Sequence, residues 1–465
     1  MNVIAELEAF LAHHEFVWLG RFTLNCYGLA RHLSFHLLIL RDYGLDDAWA
    51  ASRMGVDIIS LERETGVRIH SVGIDARPLF EGDFGAQVFS ALLQSGRQRN
   101  VATPYAMQEL EALAAASDGR VRIISPLTAV SDPLNNKLAL RRALPELGIE
   151  PVPHVICRLI EVDLQQIRQR YGLPFVVQLA MGAGGSGTFY VSSERDLTAL
   201  QADKGDQEVS VSKYITGMAP NINAVVLDDG VLLSYPSIQV VGTPECVGWA
   251  GGYCGNDFTA TRRLPESAVR AIYDQTLRIG AWIGDQGFRG MWGIDFVVDG
   301  SRVYPLEVNP RFQGSTRLLT ELQYLGGEVP LALAHVAGFL DGGQALLGRL
   351  RAHWGEPQPL DGAQIDLHSL ESDWSTVRGS LQPGVYGWDG ARGVYCREGM
   401  TIADCQTEDE FVLSGTVPRT GTRVEPGSVL LRIQTRREIL DGQSDRLKPW
   451  ASQVCGWVYR ALELA

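Results

Sequence analysis

The sequence predicts an α/β unit, then an α+β unit, then a smaller β-rich end, and three observations predict it. Over residues 1–132, helical patterns such as "ELEAFLAHH" and "QELEALAAAS" alternate with the apolar runs "HLLIL", "VDIISL" and "VRIIS", the pattern of helices laid on a sheet. Over 133–345, the turn signals Asp229-Gly230 and Asp299-Gly300 each lie between apolar strand-like runs, so hairpins carried on helices are expected. After a small-residue linker around "DGGQALLGRL", residues 346–465 hold Gly, Pro and short β-like runs, closing in a helix near "WASQVCGWVYRALEL". That last stretch reads as a separate β-rich C-terminal domain.

The length of 465 residues suits roughly two to four domains. A composition 45% hydrophobic and 20% charged is that of an ordinary globular chain. The formal charge of -13 repels phosphodiester backbones, which argues against nucleic acid as a partner. A bound cation inverts such a field locally, so a small phosphorylated ligand stays compatible with it. The seven cysteines form no CxxC pair and fit neither a disulfide framework nor a zinc cage, so a reducing, cytoplasmic location is expected. The opening "MNVIAELEAFLAHHEF" lacks the basic region of a signal peptide, and no apolar run reaches the roughly 18 to 20 residues of a membrane span.

Along the middle unit, "DPLNNKLALRRALPELGIEPVP" predicts a short helix ending at Gly148. "PFVVQLAMGAGGSGTFYV" then places Gly182, Gly184, Gly185 and Gly187 between two apolar runs. Glycines let successive N–H groups turn toward an anion without obstruction by Cβ. The loop lacks a Gly-Lys-Ser/Thr ending and is followed by a strand, which sets aside the P-loop and the dinucleotide fingerprint and leaves a strand-loop-strand flap. "VSVSKYITG" reads as a strand entering a connector. "PESAVRAIYDQTLRIGAWIGDQG" is a helix opened by Pro265 and closed by Gly287.

The last element, "GIDFVVDGSRVYPLEVNPRFQGST", carries the most chemistry. Glu307, Asn309, Arg311 and Gln313 alternate with Val308, Pro310 and Phe312, the two-residue period of a strand with one polar face. A solvated edge and a site for metal and phosphate both fit that face. A tight Asp299-Gly300 loop would put Asp295 and Glu307 on opposite sides. A three-residue loop, Asp299-Gly300-Ser301, makes them diagonal neighbours about 7 to 8 Å apart, and this loop is expected. Two carboxylates and the Asn309 oxygen then suit magnesium, which keeps waters and phosphate oxygens in its shell.

Taken together and in order, "NNKLALRRAL", the glycine flap, "SKYITG", "GIDFVVDG" and "LEVNPRFQGST" resemble the ATP-grasp superfamily over about 133–330. The resemblance implies an ATP-grasp fold, with an N-terminal α/β pre-grasp domain (1–132), a lid (about 150–212), a metal-site subdomain (about 213–345) and the C-terminal domain. It implies ATP contacts from Lys137, Gln178, Gly184, Gly185, Ser186, Gly187, Lys213, Tyr214 and Ile215, and Mg2+ ligands Asp295, Glu307 and Asn309. Arg311 would stabilise the transferring phosphoryl group, with Glu307 and Asn309 also catalytic. Two positions depart from the pattern: Gln178 where lysine is common, and Ser212 where an acidic residue is usual.

The resemblance implies a carboxylate-amine ligase that makes an amide or peptide bond through an acyl phosphate and releases ADP and phosphate. The layout is most similar to stand-alone amino-acid and peptide ligases of natural-product pathways, including the pheganomycin type. Its partners would be a small carboxylate and an amine, with no nucleic acid or membrane and with a homodimer allowed. Arg262, Arg263, Gln313 and Arg317 are the candidate substrate contacts. Two alternatives stay open: a carboxylase using carboxyphosphate, and a nucleotide sensor without turnover, which Gln178 favours.

Overall fold

The computed structural model describes residues 2–72, 76–93, 98–182, 184–442 and 444–465. The first unit is a five-stranded parallel sheet in the order Asp57–Ser60, Phe35–Leu40, Phe16–Gly20, Arg99–Ala102, Val121–Ile124. The strand order reverses beside Phe16–Gly20, so the loops after Gly20 and Ala102 diverge and leave a crevice at the carboxyl ends of the strands. The loop after Ala102 bears Tyr105.

A four-stranded antiparallel sheet follows, ordered His154–Arg158, Glu208–Lys213, Phe175–Leu179, Thr188–Val191. Its last two strands are the flap hairpin. The expected helix after Asp132 is divided: Thr128–Leu134 ends, and Asn136 restarts the chain as Lys137–Ala143 by accepting from the N–H groups of Leu138 and Ala139. That restart sets Lys137 in the first turn of its own short helix.

Beyond Lys213 the chain builds one large antiparallel sheet. Gly290–Asp299 lies between Pro220–Leu227 and Arg302–Asn309, with the long Glu266–Asp285 helix packed on its apolar face. The C-terminal region is not a separate sheet, contrary to the sequence expectation. Ala363–His368 pairs with Tyr253–Asp257, placing Gln364 opposite Asn256, and Val429–Thr435 extends the same sheet. Nor is "DGGQALLGRL" a linker: Gly343–Leu350 is a helix burying Leu346, Leu347 and Leu350. Glycine content suggested a linker there, but three leucines at helical spacing found an apolar surface to cover.

His335, buried on the Leu331–Gly338 helix, joins the first unit to the second. Its Nδ1 accepts from the Met291 N–H at 2.9 Å and its Nε2 faces the Ile124 carbonyl at 3.3 Å, a pairing only the neutral ring with its proton on Nε2 satisfies. Burial pushes its pKa down to about 4. The unfolded ring therefore binds a proton first as pH falls below about 6.5, so stability is lost between there and about 4, by about 3 kcal/mol. In urea titrations at pH 7 and pH 4.5, the wild type should show a larger loss on acidification than His335→Gln; equal losses would refute this account.

Candidate nucleotide and metal site

Asp299 pairs with Arg302, so the loop of the acidic hairpin is a two-residue turn, Gly300-Ser301, with Gly300 at φ +60°. This corrects the expected three-residue loop. The one-residue shift arises instead inside the strand: Phe296 pairs with Pro305 but Asp295 pairs with Glu307, leaving Leu306 as a bulge. Leu306 packs beside Val152, Val297, Tyr304 and Ile215. The bulge turns Glu307 onto the side of Asp295, directly opposite rather than diagonal.

Around this pair the polar groups converge. Asn309 Nδ2 donates to Asp295 Oδ2 at 3.2 Å, and Gln313 Nε2 donates to Asp295 Oδ1 at 3.0 Å. Burial first, and then the like charge of Glu307, push the Asp295 carboxyl up to about 7. Lys137 Nζ reaches Glu307 Oε2 at 2.9 Å and donates to the Gly182 carbonyl at 2.7 Å, joining the metal-type carboxylate to the root of the glycine loop. Arg311 donates to Asn309 Oδ1 at 3.0 Å and to the Phe312 carbonyl at 3.2 Å, both neutral acceptors. Lys137, Gly182, Asn309 and Arg311 line a cavity of about 320 Å³.

The flap rises from that cavity's wall at Met181 and Gly182. Gly184 and Gly185 have φ of +59° and +88°, and a Cβ on Gly185 would lie 2.6 Å from the Gly251 carbonyl oxygen, so the loop lies directly on a second glycine-rich segment. Ser186 and Gly187 complete the turn, where Leu179 N–H donates to the Gly187 carbonyl. Ala183 of the same loop lies outside the described residues. Gln178 sits at the flap's stem, buried, accepting from Arg141 at 3.1 Å and donating to Thr188 Oγ1 at 3.3 Å. Lys213 ends its strand exposed, Tyr214 meets the edge of Tyr190 at a centroid distance of 5.7 Å, and Ile215 turns inward.

The four candidate substrate contacts have other partners. Arg262 and Arg263 are not among the cavity-lining residues: Arg262 joins Asp361 with both side chains about half exposed, and Arg263 joins Glu438 at 2.7 Å. Arg317 is held by Asp366 at 3.0 Å, in a buried pair. Gln313 is spent on Asp295 and on Asn221, whose Nδ2 donates to Gln313 Oε1 at 3.1 Å. Sequence reasoning missed the other wall of the cavity, formed by Tyr105, Ser131, Asp132 and Asn135. The signal for Tyr105 was its place just past a parallel strand next to the order reversal.

Comparison with known proteins agrees with this geometry. Residues 134–315 match the model of the ATP-grasp domain family. A curated relative, the butirosin acyl-carrier protein L-glutamate ligase of Niallia circulans, is 25% identical over 203 residues, covering 42% of this chain and 48% of that protein. The match thus spans about half the relative's length. Among solved structures, N5-carboxyaminoimidazole ribonucleotide synthetase from Thermus thermophilus is 14% identical with a TM-score of 0.55, over 96% of this chain and 98% of that one. Biotin carboxylase from Campylobacter jejuni is 13% identical with a TM-score of 0.56, over 91% and 87% respectively. These likenesses show the fold. Residues 134–315 of this chain are an ATP-grasp domain.

Proposed function

We propose that the chain is an ATP-dependent ligase that joins a small carboxylate to an amine through an acyl phosphate, releasing ADP and phosphate. The observation that carries this reading is the bulge at Leu306, which sets Glu307 opposite Asp295, a pair that Lys137 and Asn309 join to the cavity they line. The glutamate ligase activity named for the Niallia circulans relative supports the choice of an amine as acceptor.

The donor set fits magnesium. Two carboxylates and one neutral amide oxygen leave room for the waters and phosphate oxygens that Mg2+ retains, and the two carboxylates come from residues directly opposite each other across the hairpin. Asp295, Glu307 and Asn309 would hold the metal, which neutralises charge on the transferring phosphoryl group. Lys137, freed from Glu307, turns to the nucleotide's phosphates. The N–H groups of Gly184 to Gly187 cover them, and Lys213, Tyr214 and Ile215 border the base. Arg311, whose guanidinium holds only neutral acceptors among the described residues, stabilises charge on the phosphoryl group as it passes to the substrate carboxylate. Phosphoryl transfer asks the protein for position and charge rather than for a nucleophile.

The test is reaction of the protein with ATP and Mg2+ against amino acids, short peptides and bicarbonate, read by product mass and by ADP versus AMP. An amide product with ADP is expected. Turnover with bicarbonate alone would favour the carboxylase, and ATP binding without ADP from any acid would favour the sensor.

A further inference from the structure

Arg141 lies beside this site and is not among the residues the sequence reading singled out. It is 1% exposed, among the largest wholly buried side chains. Such a guanidinium normally faces a carboxylate, because a buried unpaired charge costs several kcal/mol. Here its two hydrogen bonds go to neutral oxygens: the Pro305 carbonyl at 2.9 Å and Gln178 Oε1 at 3.1 Å. Among the described residues its Nε has no partner. The carboxylate whose field it feels is Glu307, and Glu307 is already paired with Lys137.

Two consequences follow from where those partners sit. Pro305 immediately precedes the bulged Leu306, so Arg141 fixes the backbone kink that brings Glu307 opposite Asp295. Gln178 is the flap's stem and passes the contact on to Thr188 on the second flap strand, so the same guanidinium ties the flap to the metal strand. Lys137 and Arg141 are four residues apart on one helix and so share a face. Lys137 and Arg141 thus share the neighbourhood of one carboxylate, Glu307, which Lys137 already pairs, so the Arg141 charge is left without a carboxylate of its own.

Resting on the ligase reading above, we infer that Arg141 is a positioning residue for a nucleoside triphosphate. It holds the bulge and the flap stem in register, and its unmatched charge favours the polyphosphate tail without touching it. A structural contact alone would give the first property and not the second.

Affinities for ATP, ADP and AMP, measured with Mg2+ by calorimetry on the intact protein, separate the two. Arg141→Met should weaken ATP at least about 10-fold and AMP less than about 2-fold, since only the phosphates feel the charge. Arg141→Lys, which keeps the charge, should hold the wild-type ratio of ATP to AMP affinity while turnover falls through a loosened bulge, and it carries the test if the methionine variant does not fold. The exchange Arg141→Gln with Gln178→Lys returns a cation to the same spot and should restore ATP affinity to within about 3-fold of wild type, whereas Arg141→Gln alone should stay weakened. Equal losses for ATP and AMP in Arg141→Met, an ATP-to-AMP affinity ratio in Arg141→Lys that falls as far as in Arg141→Met, or no recovery in the exchange variant, would overturn the inference. Wild-type protein that binds no ATP would instead overturn the ligase reading beneath it.

Discussion

Glu307→Ala is expected to lower turnover at least about 100-fold, the scale of removing one preorganised electrostatic stabiliser. The structure gives this residue three duties. It sits opposite Asp295 across the bulge, it shares the charge that raises the Asp295 carboxyl, and it holds Lys137 against the flap root. Removing it takes away a proposed metal oxygen and leaves the Lys137 ammonium, among the described residues, with the Gly182 carbonyl. The Mg2+ concentration for half-maximal rate should rise in the variant, while folding changes little, since Glu307 is partly exposed and its ion pair among the described residues is with Lys137. Rates measured by ADP release across a Mg2+ titration check both parts; unchanged turnover at saturating magnesium would remove Glu307 from the site.

How far this site could be read in advance differs residue by residue. The alternation Glu307, Asn309, Arg311 is a local period, and local periods are legible because the strand itself enforces them. That Asp295 and Glu307 share a side was also reached, but through the wrong device, a longer turn instead of a bulge. Both shift the pairing by one, and a sequence pattern records only the shift. What selects the bulge is tertiary: the hydrogen bond from Arg141, 164 positions away, to the Pro305 carbonyl. The parallel sheet and the flap hairpin were legible for the same local reasons. Pairing of Ala363–His368 with Tyr253–Asp257 joins strands more than a hundred positions apart, and no short-range signal reports such a partner. The arginines show the limit most plainly. Residue type suggests that Arg262, Arg263 and Arg317 could hold a substrate carboxylate, but only the fold says which carboxylates of the chain itself have already taken them.

For Arg317 that difference has the second large consequence. Asp366 accepts from Arg317 at 3.0 Å and faces Arg432 Nε at 3.2 Å, and the three side chains are 9%, 7% and 5% exposed for Arg317, Arg432 and Asp366. Arg432 also lies over the Phe22 ring at 4.6 Å, so the cluster joins the first unit, the helix after the metal strand and the C-terminal strands. Burial pushes the Arg432 pKa down to about 10, with the neighbouring Arg317 charge adding to the effect, while the two guanidiniums hold the Asp366 carboxyl below its ordinary value despite its burial. Asp366→Ala leaves two like charges buried side by side and should cost roughly 3–5 kcal/mol of stability. With the folded carboxyl below its unfolded pKa, the Asp366 contribution is complete above about pH 4 and is lost as pH falls through the lower folded value, so the gap between variant and wild type should narrow in acid. Arg317→Met separates the two roles open to that residue. As a member of the buried cluster it should lower the unfolding midpoint and leave the KM for the acid substrate within about 2-fold of wild type. As a substrate contact it would raise that KM at least about 10-fold, the worth of a charge-assisted pair, and leave the midpoint nearly unmoved. Asp366 holds the Arg317 Nη2 through both of its carboxylate oxygens inside a buried cluster, and that geometry supports the first role.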